Sequence, residues 1–205
     1  MFEGKRLIFG LSEPMQRGHQ ERLAPMAAEV MAGARLAFTE LDKIAVSNGP
    51  GSFTGLRVGL AFAKGLQLAT GAPLAGIGTL AALAASAGGR CAGVIDARRG
   101  MVYLQPFEDG RALGEADLLP ASEAAGRLES LAPGAWRVAG PGASLLAAHG
   151  HVEAIELAAP TLPALGALAA RAASTGDVKP VYLRAPDAAP MSARSPSPRP
   201  GSPRP

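Results

Sequence analysis

The stretch Asn48-Gly-Pro-Gly-Ser-Phe-Thr-Gly-Leu-Arg-Val-Gly59 constrains the fold more than any other part of the chain. It follows a short apolar strand, Ile44 to Ser47, and feeds a helix predicted from about Thr54 to Ala69. Gly71 supplies the C-cap of that helix and Pro73 prevents its continuation. A strand, a loop able to take positive φ at Gly49 and Gly51, and a helix start together present backbone N–H groups and the positive end of a helix dipole. Gly49, Gly51, Ser52, Thr54 and Arg57 could therefore contact an anion. No Lys-Ser/Thr pair follows the last glycine as in a Walker A loop, and Gly55 comes one position late for a dinucleotide fingerprint. Gly55 and Gly59 stand at i, i+4, which equally suits close packing of the helix on a neighbour. Glycine placement does not separate packing from anion binding.

The remaining pattern mixes strands and helices. Residues 5 to 11 read as a strand, and His19 to Met31 as an amphipathic helix with Leu23, Met26, Ala27, Val30 and Met31 on one face. Thr39-Glu-Leu-Asp42 resembles a capping box opening one helical turn. Leu74 to Ile77 is a strand and Thr79 to Ser86 an alanine-rich helix. Ala92 to Ile95 and Met101 to Gln105 flank the turn Asp96-Ala-Arg-Arg-Gly100 as a hairpin. Helices are expected at Ser122 to Leu131, Ala143 to His149 and Ala164 to Ala173, with a strand at Trp136 to Ala139. The result is an α/β or α+β chain with a boundary near Gly88-Gly89: residues 1–87, then 88–188, then a Ser/Pro/Arg tail over 189–205 expected to be disordered.

Charge and cysteine usage exclude several classes. The pI of 9.4 comes from Arg194, Arg199 and Arg204 in the tail, whose removal leaves residues 1–191 formally neutral. A single cysteine, Cys91, cannot form an intramolecular disulfide and precedes an apolar strand, as a buried inert thiol would. The uncharged run from Gly65 to Gly89 is broken by Gly71, Pro73, Gly76 and Gly78, which argues against a membrane span. With no targeting segment evident, a reduced cytoplasmic protein is expected.

At Ile44 to Gly59, Ala63-Lys-Gly65 and Pro73-Leu-Ala-Gly-Ile-Gly-Thr-Leu80 the chain resembles the bacterial TsaB (YeaZ) proteins, which are glycoprotease-like. Gly18-His19, Glu21-Arg22-Leu23-Ala-Pro25, Asp96-Ala-Arg-Arg-Gly100 and Val181-Tyr-Leu-Arg-Ala-Pro-Asp187 extend the likeness over about residues 5 to 188. The resemblance implies a two-lobed actin/Hsp70/sugar-kinase fold. It also implies a non-catalytic role beside the catalytic TsaD subunit, with the TsaE ATPase assisting, in forming N6-threonylcarbamoyladenosine (t6A) at position 37 of tRNA. The chain would meet tRNA through that complex and form a homodimer when alone. Against the family pattern, a first strand ending in Asp-Thr is missing here, which would leave unpaired backbone beside Leu7 to Leu11.

The catalytic paralogue carries a His-x-x-x-His pair after the proline-containing strand, and its i, i+4 spacing lets one metal ion be gripped from a helix face. Here the matching positions are Thr79 and Leu83, while His149 and His151 flank Gly150 in what reads as a solvated turn. No catalytic residue, metal or cofactor is therefore expected. In the family the two helices at 19–31 and 54–69 form the subunit interface, which implies contact through Leu23, Met26, Val30, Leu56, Leu60 and Ala63. For either helix alone, a stripe facing its own sheet is the simpler reading. Competing functions are an active metal-dependent transferase or peptidase, which needs a bound metal, and an ATP-binding kinase-like protein.

Overall fold

The computed structural model describes residues 1–14 and 19–184, so the expectation for the tail lies outside the described residues. The chain starts by folding on itself: β1 (Phe2–Glu3) and β2 (Arg6–Leu7) pair antiparallel, with Phe2 opposite Leu7. The strand expected over residues 5–11 is thus shorter. Beyond it, Ile8 N donates to Met1 O at 3.0 Å and the Met1 ammonium to Phe9 O at 2.6 Å.

The amphipathic pattern gives α1 (His19–Ala34), which carries Pro25 within it. Arg22 of α1 pairs with Glu13 and Glu29 and holds both carboxyls below their ordinary range. The helical turn expected at Thr39–Asp42 is a 3-10 turn over Phe38–Glu40 instead. Its box is closed by Glu40, whose Oε2 accepts from Ala37 N at 2.7 Å, rather than by Asp42.

Next come β3 (Ile44–Gly49), α2 (Phe53–Thr70), β4 (Leu74–Gly78) and α3 (Thr79–Ala87). β3 and β4 lie parallel with Ile44 opposite Leu74, joined by α2 as the crossover. Ser52 caps α2 by accepting from Gly55 N at 3.3 Å, and Gly71 ends it at φ 77°. Ile44 N donates to Pro73 O, so Ala45 and Ser47 turn their backbone groups to the opposite edge of β3. No described strand pairs that edge of β3, and β2 likewise has a described strand on one side only.

The second half is built on β5 (Cys91–Arg98), β6 (Met101–Glu108), β7 (Arg111–Ala112), β8 (Asp117–Pro120), β9 (Trp136–Ala139) and β10 (Val152–Ile155). Their order is β10-β9-β5-β6-β7, and β8 also pairs with β6. The expected hairpin is β5–β6, antiparallel with Ile95 opposite Tyr103, while β9 and β10 run parallel to β5 and to each other. Periodicity does not reveal β7, β8 or β10, which are short and contain no buried residue.

Alternation along β5 explains the layering. Ala92 and Val94 point into a core with Val102, Leu128, Trp136 and Leu146, covered by α4 (Ala121–Leu131) and α5 (Ala143–Ala147). Cys91 points to the other face, with Phe107, Ala139 and Ala84 of α3. On that face a Cβ at Gly93 would stand 2.1 Å from Leu80 O, so α3 lies on β5 at a distance only glycine permits. α5 stops two residues short of the expected His149, and α6 (Leu162–Arg171) starts two before Ala164, with Thr161 as its N-cap. α6 packs on β2, β4 and α3, and Lys43 Nζ donates to Ala169 O and Ala172 O at its C-terminal end. Among the described residues no helix is long and apolar enough to cross a membrane.

Two glycine substitutions test this account by equilibrium denaturation. Gly93→Ala is expected to destabilise by about 1–3 kcal/mol through overpacking against Leu80. Gly65→Ala, mid-helix in α2 with open space around it, is expected to stabilise by about 0.5–1 kcal/mol.

Candidate functional site

β3 runs into the glycine loop through a register shift between Ser47 and Gly49. Gly49 has φ 115°, and a Cβ there would lie 2.6 Å from the Val181 carbonyl oxygen, so this position demands glycine twice over. The peptide from Gly49 to Pro50 is cis. Gly51 does not take positive φ, which corrects the expectation that both glycines would.

A segment far along the chain is strapped across this loop. Val181 N donates to Asn48 O at 2.7 Å, and Asn48 Nδ2 donates to Lys179 O at 3.3 Å. The strap carries Tyr182 against α2, with ring centroids of Phe53 and Tyr182 5.2 Å apart. The Arg57 guanidinium lies 3.8 Å over the Phe53 ring, and its Nε donates to the Tyr182 hydroxyl at 3.3 Å. Of the five loop residues singled out in the sequence, Gly49, Gly51, Ser52 and Thr54 gather at the start of α2. Arg57 is engaged with the aromatic pair, and the Ser52 hydroxyl caps the helix. Nothing in the hydrophobic periodicity pointed to Tyr182.

Beside the loop a cavity of about 780 Å³ opens between the two halves of the chain. Gly51, Ser52, Thr79 and Leu83 line it from one half, and Ile95, Pro141 and Pro160 from the other. No described residue lining it has a titratable side chain, and the polar side chains among them are Ser47, Ser52 and Thr79. Ser47 Oγ and Thr79 Oγ1 are hydrogen-bonded at 2.7 Å, and Leu83 is 1% exposed. General acid–base or metal-assisted chemistry needs an imidazole, carboxylate, amine or thiolate at the reacting atoms, and this lining supplies none. Among the described residues no three His, Cys, Asp or Glu side chains gather where they could hold a metal ion. His149 and His151 are exposed on the turn before β10.

Other candidates are structural. Asp96 Oδ1 accepts from Arg98 N at 2.7 Å, shaping the hairpin tip. Cys91 is buried, and desolvation pushes its thiol from 9.0 up to about 11, offset in part by the charge of Arg137.

The helix stripes divide. Leu56, Leu60 and Ala63 are 8%, 5% and 3% exposed, and the last two pack on Leu74 and Val178. They face the chain's own sheet, which corrects their assignment to a subunit interface. Leu23, Met26 and Val30 are half-buried, with Leu23 lining the first cavity and Val30 a second of about 810 Å³ between α1, β3 and the hairpin. Gly55 and Gly59 have room for a methyl group, so close packing does not require them. The outward face carries Ala24 and Ala28 of α1 with Ala61, Gly65 and Leu68 of α2, and Leu68 is 87% exposed. The small residues at 61 and 65 followed by Leu68 are the i, i+4, i+7 signal that marks it.

Gly49→Ala is expected to destabilise by about 1–3 kcal/mol and to expose Tyr182, seen as increased quenching of its fluorescence in a tryptophan-free background. Because the unfolded thiol ionises first, stability should fall as pH rises from 9.0 through about 11, and Cys91→Ala should flatten that window in denaturation midpoints.

Comparison with known proteins gives these features a context. Residues 13–170 match the family model described as TsaD, tRNA N6-adenosine threonylcarbamoyltransferase. Uncharacterized proteins of Mycobacterium leprae and Mycobacterium tuberculosis are each 37% identical over 183 residues; the chain spans 47% of the first and 79% of the second. The tRNA threonylcarbamoyladenosine biosynthesis protein TsaB of Escherichia coli is 35% identical over 97 residues, covering 45% of this chain and 42% of that protein. A solved Pseudomonas aeruginosa structure described as similar to peptidase YEAZ superposes with a TM-score of 0.74 at 30% identity, covering 84% of this chain and 87% of that one. The chain accordingly belongs to the family of that transferase model and, within it, to the TsaB (YeaZ) proteins.

Proposed function

We propose that this chain is a non-catalytic subunit of the machinery that forms t6A on tRNA, acting beside a TsaD-type catalytic subunit. The observation that carries the reading is the cavity beside the glycine loop, whose lining holds no titratable side chain. In a chain of a transferase family, such a cleft supports a scaffold role. The metal-dependent transferase or peptidase would need metal-ligating side chains, which the described lining does not offer, and isothermal titration of the lone chain with ATP tests the kinase-like reading. The proposed architecture is the two-lobed actin/Hsp70/sugar-kinase type, with lobes over 1–87 and 88–188. α6 would cross back to the first lobe, in keeping with its packing on β2 and β4.

The catalytic partner would dock on the outward face of α1 and α2, where Ala24, Ala28, Ala61 and Gly65 allow close approach of helices and Leu68 gives an apolar anchor. Met26 stands at the margin of that face. The same face would serve a homodimer when the partner is absent. A TsaE-type ATPase and tRNA would join at the level of the complex, in the cytoplasm.

Pull-down with the TsaD-type subunit of the same organism, followed by a tRNA modification assay, tests this reading. The chain alone should yield no t6A, and the pair should form it when threonylcarbamoyl-adenylate is supplied. Leu68→Glu or Met26→Glu should weaken association at least about tenfold with unchanged circular dichroism. Retained association, or t6A formed by the chain alone, overturns the proposal.

A further inference from the structure

The strap that closes the glycine loop also links two basic segments distant in sequence. Tyr182 is 39% exposed, its ring against Phe53 and its hydroxyl bonded by Arg57. Two residues on, Arg184 Nη1 donates to Ala97 O at 3.2 Å, at the root of the β5–β6 hairpin. The hairpin tip follows at once with Arg98 and Arg99, both exposed and both at positive φ, 68° and 55°. Lys179, also exposed, stands at the other end of the strap.

Charge along this path has one sign. No Asp or Glu occurs from Lys43 to Ile95, from Ala97 to Phe107, or from Val178 to Arg184. Asp96, the nearest acid in the hairpin, has an oxygen engaged by Arg98 N, and Asp177 is paired with Lys64 at 2.6 Å. Arg57, Lys179, Arg184, Arg98 and Arg99 thus accompany an exposed aromatic ring whose position is held by a second ring and a guanidinium.

From this arrangement we infer that the strap and the hairpin tip form a contact surface for a single-stranded RNA segment. Tyr182 is the platform on which a base stacks, and the arginines of the hairpin track the phosphates. Single strands are bound by this combination of aromatic faces with a line of cations, because every base has a π-face and every nucleotide carries a phosphate. An acidic protein surface would be served by the cations and would leave the held, exposed ring without a use. The choice of RNA rests on the proposed role in tRNA modification; the surface itself does not.

The test is fluorescence anisotropy of the full chain with labelled oligo(U), an RNA duplex of the same length, and oligo(dT), over a range of salt. Oligo(U) should bind more tightly than the duplex. Tyr182→Ala should weaken it about tenfold. The double variant Arg98→Gln with Arg99→Gln should weaken it and reduce the salt slope by about 1. Arg127→Gln, on the exposed side of α4, should change nothing. Unchanged circular dichroism and retained pull-down of the catalytic subunit separate this result from loss of fold or failure of the complex. The inference is overturned if the strap and hairpin variants bind oligo(U) like the parent chain, or if oligo(dT) is preferred. It is also overturned if binding disappears only when Arg194, Arg199 and Arg204 are replaced by Gln, or if the variants lose the catalytic subunit while RNA affinity stays the same.

Discussion

The contact between Gly49 and the Val181 backbone organises everything around the glycine loop. It joins residues more than a hundred positions apart through main-chain atoms, leaving no room for a side chain between them. Val181 N closes on Asn48 O, and the strap then carries Tyr182 to Phe53 and Arg57 and Arg184 to Ala97. One backbone approach therefore sets the start of α2, the aromatic pair beside it, and the tie between the small parallel sheet and the larger one. Main-chain contacts of this kind cannot be relaxed by changing rotamers, so the loop has one conformation so long as the strap is in place.

The halves of the chain bury apolar surface by different devices. The six-stranded sheet has helices on both faces, and strict alternation along β5 sends Ala92 and Val94 one way and Cys91 the other. The parallel β3–β4 pair is thinner: Leu60 and Ala63 of α2 close on Leu74 and Val178, while β3 keeps an edge that no described strand pairs. The two cavities beside β3 share Ile44 through Ser47 in their linings. Burial that would ordinarily be completed by a neighbouring strand is thus incomplete in this half.

That the cleft beside the glycine loop lacks any titratable group gives the functional reading its physical content. Where a paired imidazole would stand on α3, Thr79 bonds to Ser47 and Leu83 is part of the core. Two surfaces stand beside that cleft: an outward helix face with an almost fully exposed leucine, and a basic-aromatic path along the strap. These two surfaces lie on different parts of α2, one on its outward stripe and the other at its N-terminal turn, so a protein partner and an RNA segment need not compete.

Much of the fold was legible because it is locally encoded. Ser52, Gly71 and Pro73 bracket α2 through capping and ring constraints that act within a few residues, and β9 is read to the residue ahead of Gly140-Pro-Gly142. The short strands β7, β8 and β10 were not legible, since two to four half-exposed residues carry no period. Residue chemistry by itself determined the glycine loop, the helix after it and the lack of histidines at Thr79 and Leu83. Only the tertiary structure decided which stripe of α2 is inside, because a helix has apolar residues on more than one side and the sheet selects among them. It also decided that the strap reaches the hairpin, with Arg184 bonded to Ala97 O, because chain closure over the loop depends on contacts between residues that no local pattern connects.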